Sequence, residues 1–103
     1  MERVYEGTTL KINVSIDDIA GYTMDDYDFV AEFYCLPNRK LRLEKSALIR
    51  TDENNYSAVV DTKNLGVGAI KCKIIALIPD ADCDGGVRTE VCVMDTQLTI
   101  VMG

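Results

Sequence analysis

Apolar and polar residues alternate with a period of two along most of this chain, the pattern of strands with one buried face. Leu10, Ile12, Val14 and Ile16 alternate with Lys11, Asn13 and Ser15 and predict a first strand. Tyr27, Phe29, Ala31, Phe33 and Cys35 alternate with Asp28, Val30, Glu32 and Tyr34 and predict a second. Pro37 has no amide donor for a ladder, so it ends that strand. Leu41 and Leu43 open a third, which continues weakly through Ala47 and Ile49. Tyr56, Ala58 and Val60 predict a fourth, and Ile70, Cys72, Ile74, Ala76 and Ile78 a fifth. Val87, Thr89, Val91 and Val93 predict a sixth, and Leu98, Ile100 and Met102 a last.

Turn residues stand between these runs. They include the acid-rich stretch 17–26 with Gly21, a polar turn at 51–55, a connection opened by Asp61 as a helix cap, and Pro79 to Gly86. No segment keeps a helical period over ten residues, although 17–26 has room for a short helical turn. About seven strands, with a turn roughly every ten residues, predict an all-β antiparallel sandwich. Its predicted interior is Ile12, Val14, Phe29, Phe33, Ala58, Val60, Ile70, Ile74, Val91 and Ile100.

The length of 103 residues is that of one domain, 1–103. No apolar run approaches the ~20 residues of a membrane helix, and the start MERVYEGTTL is too charged for a signal peptide. The net charge of -6 argues against direct nucleic-acid binding, which needs clustered bases on phosphates. Charge is unevenly spread. No base lies between Lys11 and Arg39, while Asp17, Asp18, Asp25, Asp26, Asp28 and Glu32 do; then Arg39, Lys40, Arg42, Lys45 and Arg50 follow against Glu44 alone. Opposite patches on one small domain suit a neighbouring subunit, and they equally suit two solvated loops.

Histidine is absent, which removes the usual general base and the commonest metal ligand. No Asp or Glu pair sits in an apolar setting that would raise a pKa, so no enzyme is expected and no cofactor is implied. Cys35, Cys72, Cys83 and Cys92 show no C-x-x-C spacing for zinc. Cys35 and Cys72 fall in phase with their apolar faces. They read as buried free thiols, the alternative being a bridge between the two sheets. A Cys72–Cys92 pairing across a hairpin is a further alternative, although Cys92 falls on the outward phase.

Asp80, Asp82 and Asp84, followed by Gly85, begin like a calcium loop, with alternate carboxylates converging on an ion. The twelfth position, where a closing Glu belongs, is Val91, so a polar hairpin tip competes with the metal reading. The five tyrosines mostly fall within strand patterns; Tyr34, out of phase with Phe29 and Phe33, is the exception, poised to pack on a partner or an end segment.

The order of features carries one resemblance. The Gly7-Thr8-Thr9 start, Leu65-Gly66-Val67-Gly68 leading to Ile70, and the hairpin from Asp82 to Thr89 resemble immunoglobulin-like domains of phage virion proteins. The Cys- and Asp-rich style is most like a small auxiliary capsid protein of crAss-like phages of gut Bacteroidota. The resemblance spans nearly the whole chain but rests on pattern, and the base-rich stretch 39–50 departs from the fibre domains. Because the chain starts at Met1 and stops just after the last strand, a free-standing gene product is expected rather than a fibre fragment.

The resemblance implies a decoration module in the virion, made in the host cytoplasm, whose partners are other virion proteins, the major capsid protein first among them. A baseplate or tail- or head-fibre connector is the alternative, and a carbohydrate- or cell-surface-binding adhesion domain is one of another class. For partner binding, the residue pattern singles out Arg39, Lys40 and Arg42, which follow Pro37-Asn38 at an expected hairpin end.

Overall fold

The computed structural model describes residues 2–16, 21–36 and 39–102, the side chains of Leu36 and Arg39 excepted. The clearest alternation folds as expected. Strand β2 (Thr9–Ser15) points Ile12 and Val14 inward and Lys11, Asn13 and Ser15 outward. It pairs antiparallel with β6 (Asn55–Asp61), which sets Ile12 beside Ala58 and Val14 beside Tyr56. The short β5 (Ile49–Asp52) completes a three-stranded sheet in the order β2-β6-β5.

The second sheet has five strands, in the order β1-β8-β7-β3-β4. These are β1 (Glu2–Tyr5), β3 (Asp28–Leu36), β4 (Arg39–Glu44), β7 (Gly68–Pro79) and β8 (Val87–Val101). On its inner face large side chains sit beside small ones: Phe33 beside Cys72, Ala31 beside Ile74, Phe29 beside Ala76. That alternation lets neighbouring rows interlock without voids. Phe29 reaches the other sheet, where its ring meets Tyr56 edge-on at 5.2 Å. Burying such a side chain stabilises the fold by roughly 1.5–3 kcal/mol.

The architecture is an all-β sandwich. Its strand order is that of an immunoglobulin-type domain, with β2, β6 and β5 in one layer and β8, β7, β3 and β4 in the other. Three features refine the expectation of about seven antiparallel strands. There are eight strands among the described residues, because the N-terminal segment Glu2–Tyr5 forms β1. β1 runs parallel to β8, so the larger sheet is mixed. The alternation of β4 does not run on through Ala47. A 3-10 turn at Lys45–Ala47 breaks it, and the chain crosses to the other layer as β5. Lys45 Nζ anchors that crossing by donating to the carbonyls of Tyr27 at 2.8 Å and Asp25 at 3.1 Å.

Asp61 does cap its short turn, its carboxylate accepting from the Lys63 amide at 3.0 Å. The first four residues of the stretch read as a possible helical turn, 17–20, lie outside the described residues.

Nine of the ten predicted interior residues are in the core. Val91 is not; it is 56% exposed. The ladder shows why. Ile74 pairs with Cys92 and Cys72 with Met94, so the even-numbered residues of β8 share the inner face and Val91 and Val93 point outward. Near Ile70 the ladder shifts register: from 69 to 71 on β7, β8 runs from 99 to 95. An irregularity of two extra residues leaves the parity of β8 unchanged. Gln97 takes φ 62° there, and Thr96 Oγ1 donates to the Ile70 carbonyl at 2.8 Å.

Candidate interaction surface

The outer face of the five-stranded sheet is built from four cross-strand rows. The first holds Asp28, Leu77 and Thr89; the second Glu44, Val30, Ile75 and Val91. The third holds Arg42, Glu32, Lys73 and Val93; the fourth Lys40, Tyr34, Lys71 and Asp95. Alternation fixes this membership, since the residues between them on β3 and β7 are committed to the core.

The apolar members lie together on the β7–β8 side. Val91 and Val93 are each 56% exposed, Val87 40% and Leu77 36%. Scattered exposed valines are ordinary, but a contiguous apolar stripe rimmed by charge marks a contact surface. The face is also electrically polarised. Asp28 and Glu44 lie in the first two rows, whereas Arg42, Lys73, Lys40 and Lys71 outnumber Glu32 and Asp95 in the last two. At the end that bears Asp28 the surface sinks into a basin of about 660 Å³, where Asp28 and Glu44 stand with Arg42 and Lys45 around Val30 and Leu77.

Two of the three bases singled out in the sequence meet on this face. Arg42 is exposed and pairs with Glu32 at 3.6 Å, and Lys40 is exposed with its ammonium 5.5 Å from the centre of the Tyr34 ring. Tyr34, the tyrosine out of phase with the core, therefore belongs to the same surface. Arg39 opens β4, and its side chain lies outside what the structure describes.

The acidic hairpin is not gathered into a cage. Asp80 Oδ1 accepts from the Asp82 amide at 3.0 Å, and Asp80 Oδ2 lies 3.4 Å from Arg88. Asp84 stands in the 3-10 turn Asp84–Gly86, and no group of three His, Cys, Asp or Glu side chains converges on a metal position among the described residues. The four cysteines are free. Cys35 and Cys72 lie on adjacent strands of the same sheet, so they could not have joined the two layers. Cys72 is buried, and burial pushes its thiol up to about 12. Cys35 is half-buried rather than fully enclosed, its thiol donating to the Gly68 carbonyl at 3.4 Å. Cys92 is exposed although it points to the inner side, and it stands opposite Ile74 rather than Cys72.

A polar clamp escaped the sequence reading. Arg50 binds Asp25 through Nε and Nη2, at 3.0 and 2.8 Å, and the Tyr56 hydroxyl donates to the same carboxylate. The Arg50 and Tyr56 hydrogen bonds hold the Asp25 pKa down at about 2. The group ties the loop before β3 to the β5–β6 hairpin, which is a structural task. Asp25 lies 25 residues from Arg50 and 31 from Tyr56, and no local spacing announces the group.

A second concavity of about 380 Å³ separates β2 from β8, with Ile12, Val14, Cys72, Met94 and Leu98 among its walls. β1 pairs only with Leu98–Val101, leaving the β8 edge from Val87 to Thr96 without a paired strand among the described residues. Arg88 and Glu90 project inward beside that edge, a placement that discourages strand addition.

Comparison with protein-family models, with curated proteins and with solved structures returns no match for this chain.

Proposed function

We propose that this chain is a structural protein of a phage virion, an auxiliary module that decorates the capsid. In this reading it is held in the lattice by subunit contacts through the outer face of its five-stranded sheet. The virion placement rests on the sequence resemblance to immunoglobulin-like phage proteins, with which the sandwich topology agrees. The observation that carries the docking role is the exposed pair Val91 and Val93 of β8 on one face with the basic side chains of Arg42 and Lys40. Apolar centre and charged rim are the usual anatomy of a protein contact. The absence of histidine in the sequence agrees with a role that needs no general base. Partners are other virion proteins, the major capsid protein first among them.

Quantitative mass spectrometry of purified particles tests the placement. Hundreds of copies per particle are expected for a capsid decoration. A copy number of six or twelve would move the protein to the baseplate, and absence from particles would overturn the virion reading. A triple variant, Arg39→Glu, Lys40→Glu and Arg42→Glu, is expected to incorporate less well, most clearly at low salt, while its isolated fold is unchanged.

A further inference from the structure

We infer that the outer face of the five-stranded sheet docks a second copy of this chain, in a twofold dimer whose axis lies in the interface across the strands. The inference rests on the preceding reading of this face as a docking surface and names the subunit that occupies it.

The ground is self-complementarity. A twofold contact is isologous, so the face must match its own rotated image. An axis lying across the strands leaves each strand over its own copy and reverses the order of the rows. The second row then meets the third, and the first meets the fourth. Glu44 of one copy comes to Arg42 of the other, and Val91 to Val93. Asp28, in the first row, comes to the fourth row of Lys40, Tyr34 and Lys71. The end that bears Asp28 faces the lysine-rich end of the other copy, and the exposed valines meet each other in between. An axis along the strands would keep the rows and reverse the strand order instead, setting the exposed Val91 and Val93 on Glu44 and Arg42 rather than on each other, and is disfavoured because it buries charge against the valines.

Size agrees. Four strands about 4.8 Å apart and four rows about 6.8 Å apart present roughly 500 Å² per copy. About 1,000 Å² in the pair is the lower bound of a specific interface, which predicts a weak, concentration-dependent dimer.

Sedimentation velocity of the purified chain between about 5 and 500 µM reads the association directly. The wild type is expected to pass from monomer to dimer across that range. The Val91→Lys, Val93→Lys variant is expected to stay monomeric, its dissociation constant raised more than about tenfold, with a circular-dichroism melt showing that it is folded. Val59→Lys, on the exposed face of the other sheet, is expected to associate like the wild type.

A charge swap then identifies the partner. Arg42→Glu and Glu44→Arg are each expected to weaken the dimer, and the double variant R42E/E44R to restore it, because Glu44 and Arg42 belong to opposite copies. A wild type monomeric at every concentration overturns the inference, as does a dimer indifferent to lysine at Val91 and Val93. Failure of the double variant to recover overturns the proposed axis. A monomeric wild type whose Val91→Lys, Val93→Lys variant no longer enters particles would assign the face to a different virion protein. That outcome would discard the dimer and keep the decoration role.

Discussion

Ile74 and Cys92 face each other across the β7–β8 ladder, yet Ile74 is 2% exposed and Cys92 is open to solvent. The three-stranded sheet covers β7 and stops short of the upper half of β8, whose residues 87–93 are all exposed. Depth, and not the direction of the side chain, therefore separates the two thiols at 72 and 92. Ellman's reagent at pH 8 is expected to label Cys92 rapidly in the native protein. Cys72 should stay unlabelled until global unfolding, since it is buried and its pKa is pushed up to about 12. In denaturant without reductant all four cysteines should react, and fewer than four labels would reveal a bridge.

Thr62 is the one fully buried polar side chain among the described residues. Its Oγ1 accepts from the Gly7 amide at 2.8 Å and donates to the Thr8 carbonyl at 2.9 Å. One hydroxyl thus ties the β1–β2 turn, where Gly7 takes φ 101°, to the connection after β6. Thr62→Val keeps the shape and strands the Gly7 amide, while the Thr8 carbonyl still accepts from the backbone amide of residue 62 at 3.2 Å. It is expected to cost about 1–3 kcal/mol, read as a lower denaturant midpoint with an unchanged m-value.

The Asp25 clamp predicts acid sensitivity. The folded carboxyl, at about 2, lies below the ordinary aspartate value near 3.9 in the unfolded chain. Its contribution to stability is therefore complete above pH ~4 and drains away as the pH falls towards ~2. With the Asp25 side chain still 32% exposed, solvent screens part of the effect. Asp25→Asn is expected to melt below the wild type at pH 7. The gap should narrow as both proteins are taken from pH 4 to pH 2, and a constant gap would disprove the linkage.

The legible part of this fold was the part with one buried face. β2, β3, β6 and β7 each have one phase without a charged residue and an opposite phase broken by charged residues, and their inward residues Val14, Phe29, Val60 and Ile74 could be named from spacing alone. β8 carries two apolar phases, odd-numbered through Val93 and even-numbered from Met94 to Ile100. Placing both Val91 and Ile100 inside requires an odd shift between them. The ladder near Ile70 shifts by two, so one phase had to be outside, and only the pairing with Ile74 and Cys72 shows which. Of the candidate contact residues, Arg42 and Lys40 were visible as a run of charge. Their alliance with Lys71, Lys73 and Val93 depends on strands remote in sequence and could not be read locally. The same holds for the pairing of Asp25 with Arg50.

The two faces of the larger sheet can be told apart by truncation. Phe29 has no exposed surface, and its ring lies 5.2 Å from Tyr56 and 6.2 Å from Tyr27, with Lys45 Nζ 5.7 Å away over its face. Phe29→Ala would open a cavity at the centre of the sandwich that these neighbours can only partly fill, at an expected cost of about 3–5 kcal/mol. Val91 is 56% exposed and touches the core of its own chain little. At low micromolar concentration, where a weak dimer is dissociated, Val91→Ala should change stability by no more than about 0.5 kcal/mol. Chemical denaturation of both variants at that concentration checks the contrast. If Val91→Ala destabilised the monomer by several kcal/mol, Val91 would have to lie inside, and the β8 register and the outer face built on it would both be wrong.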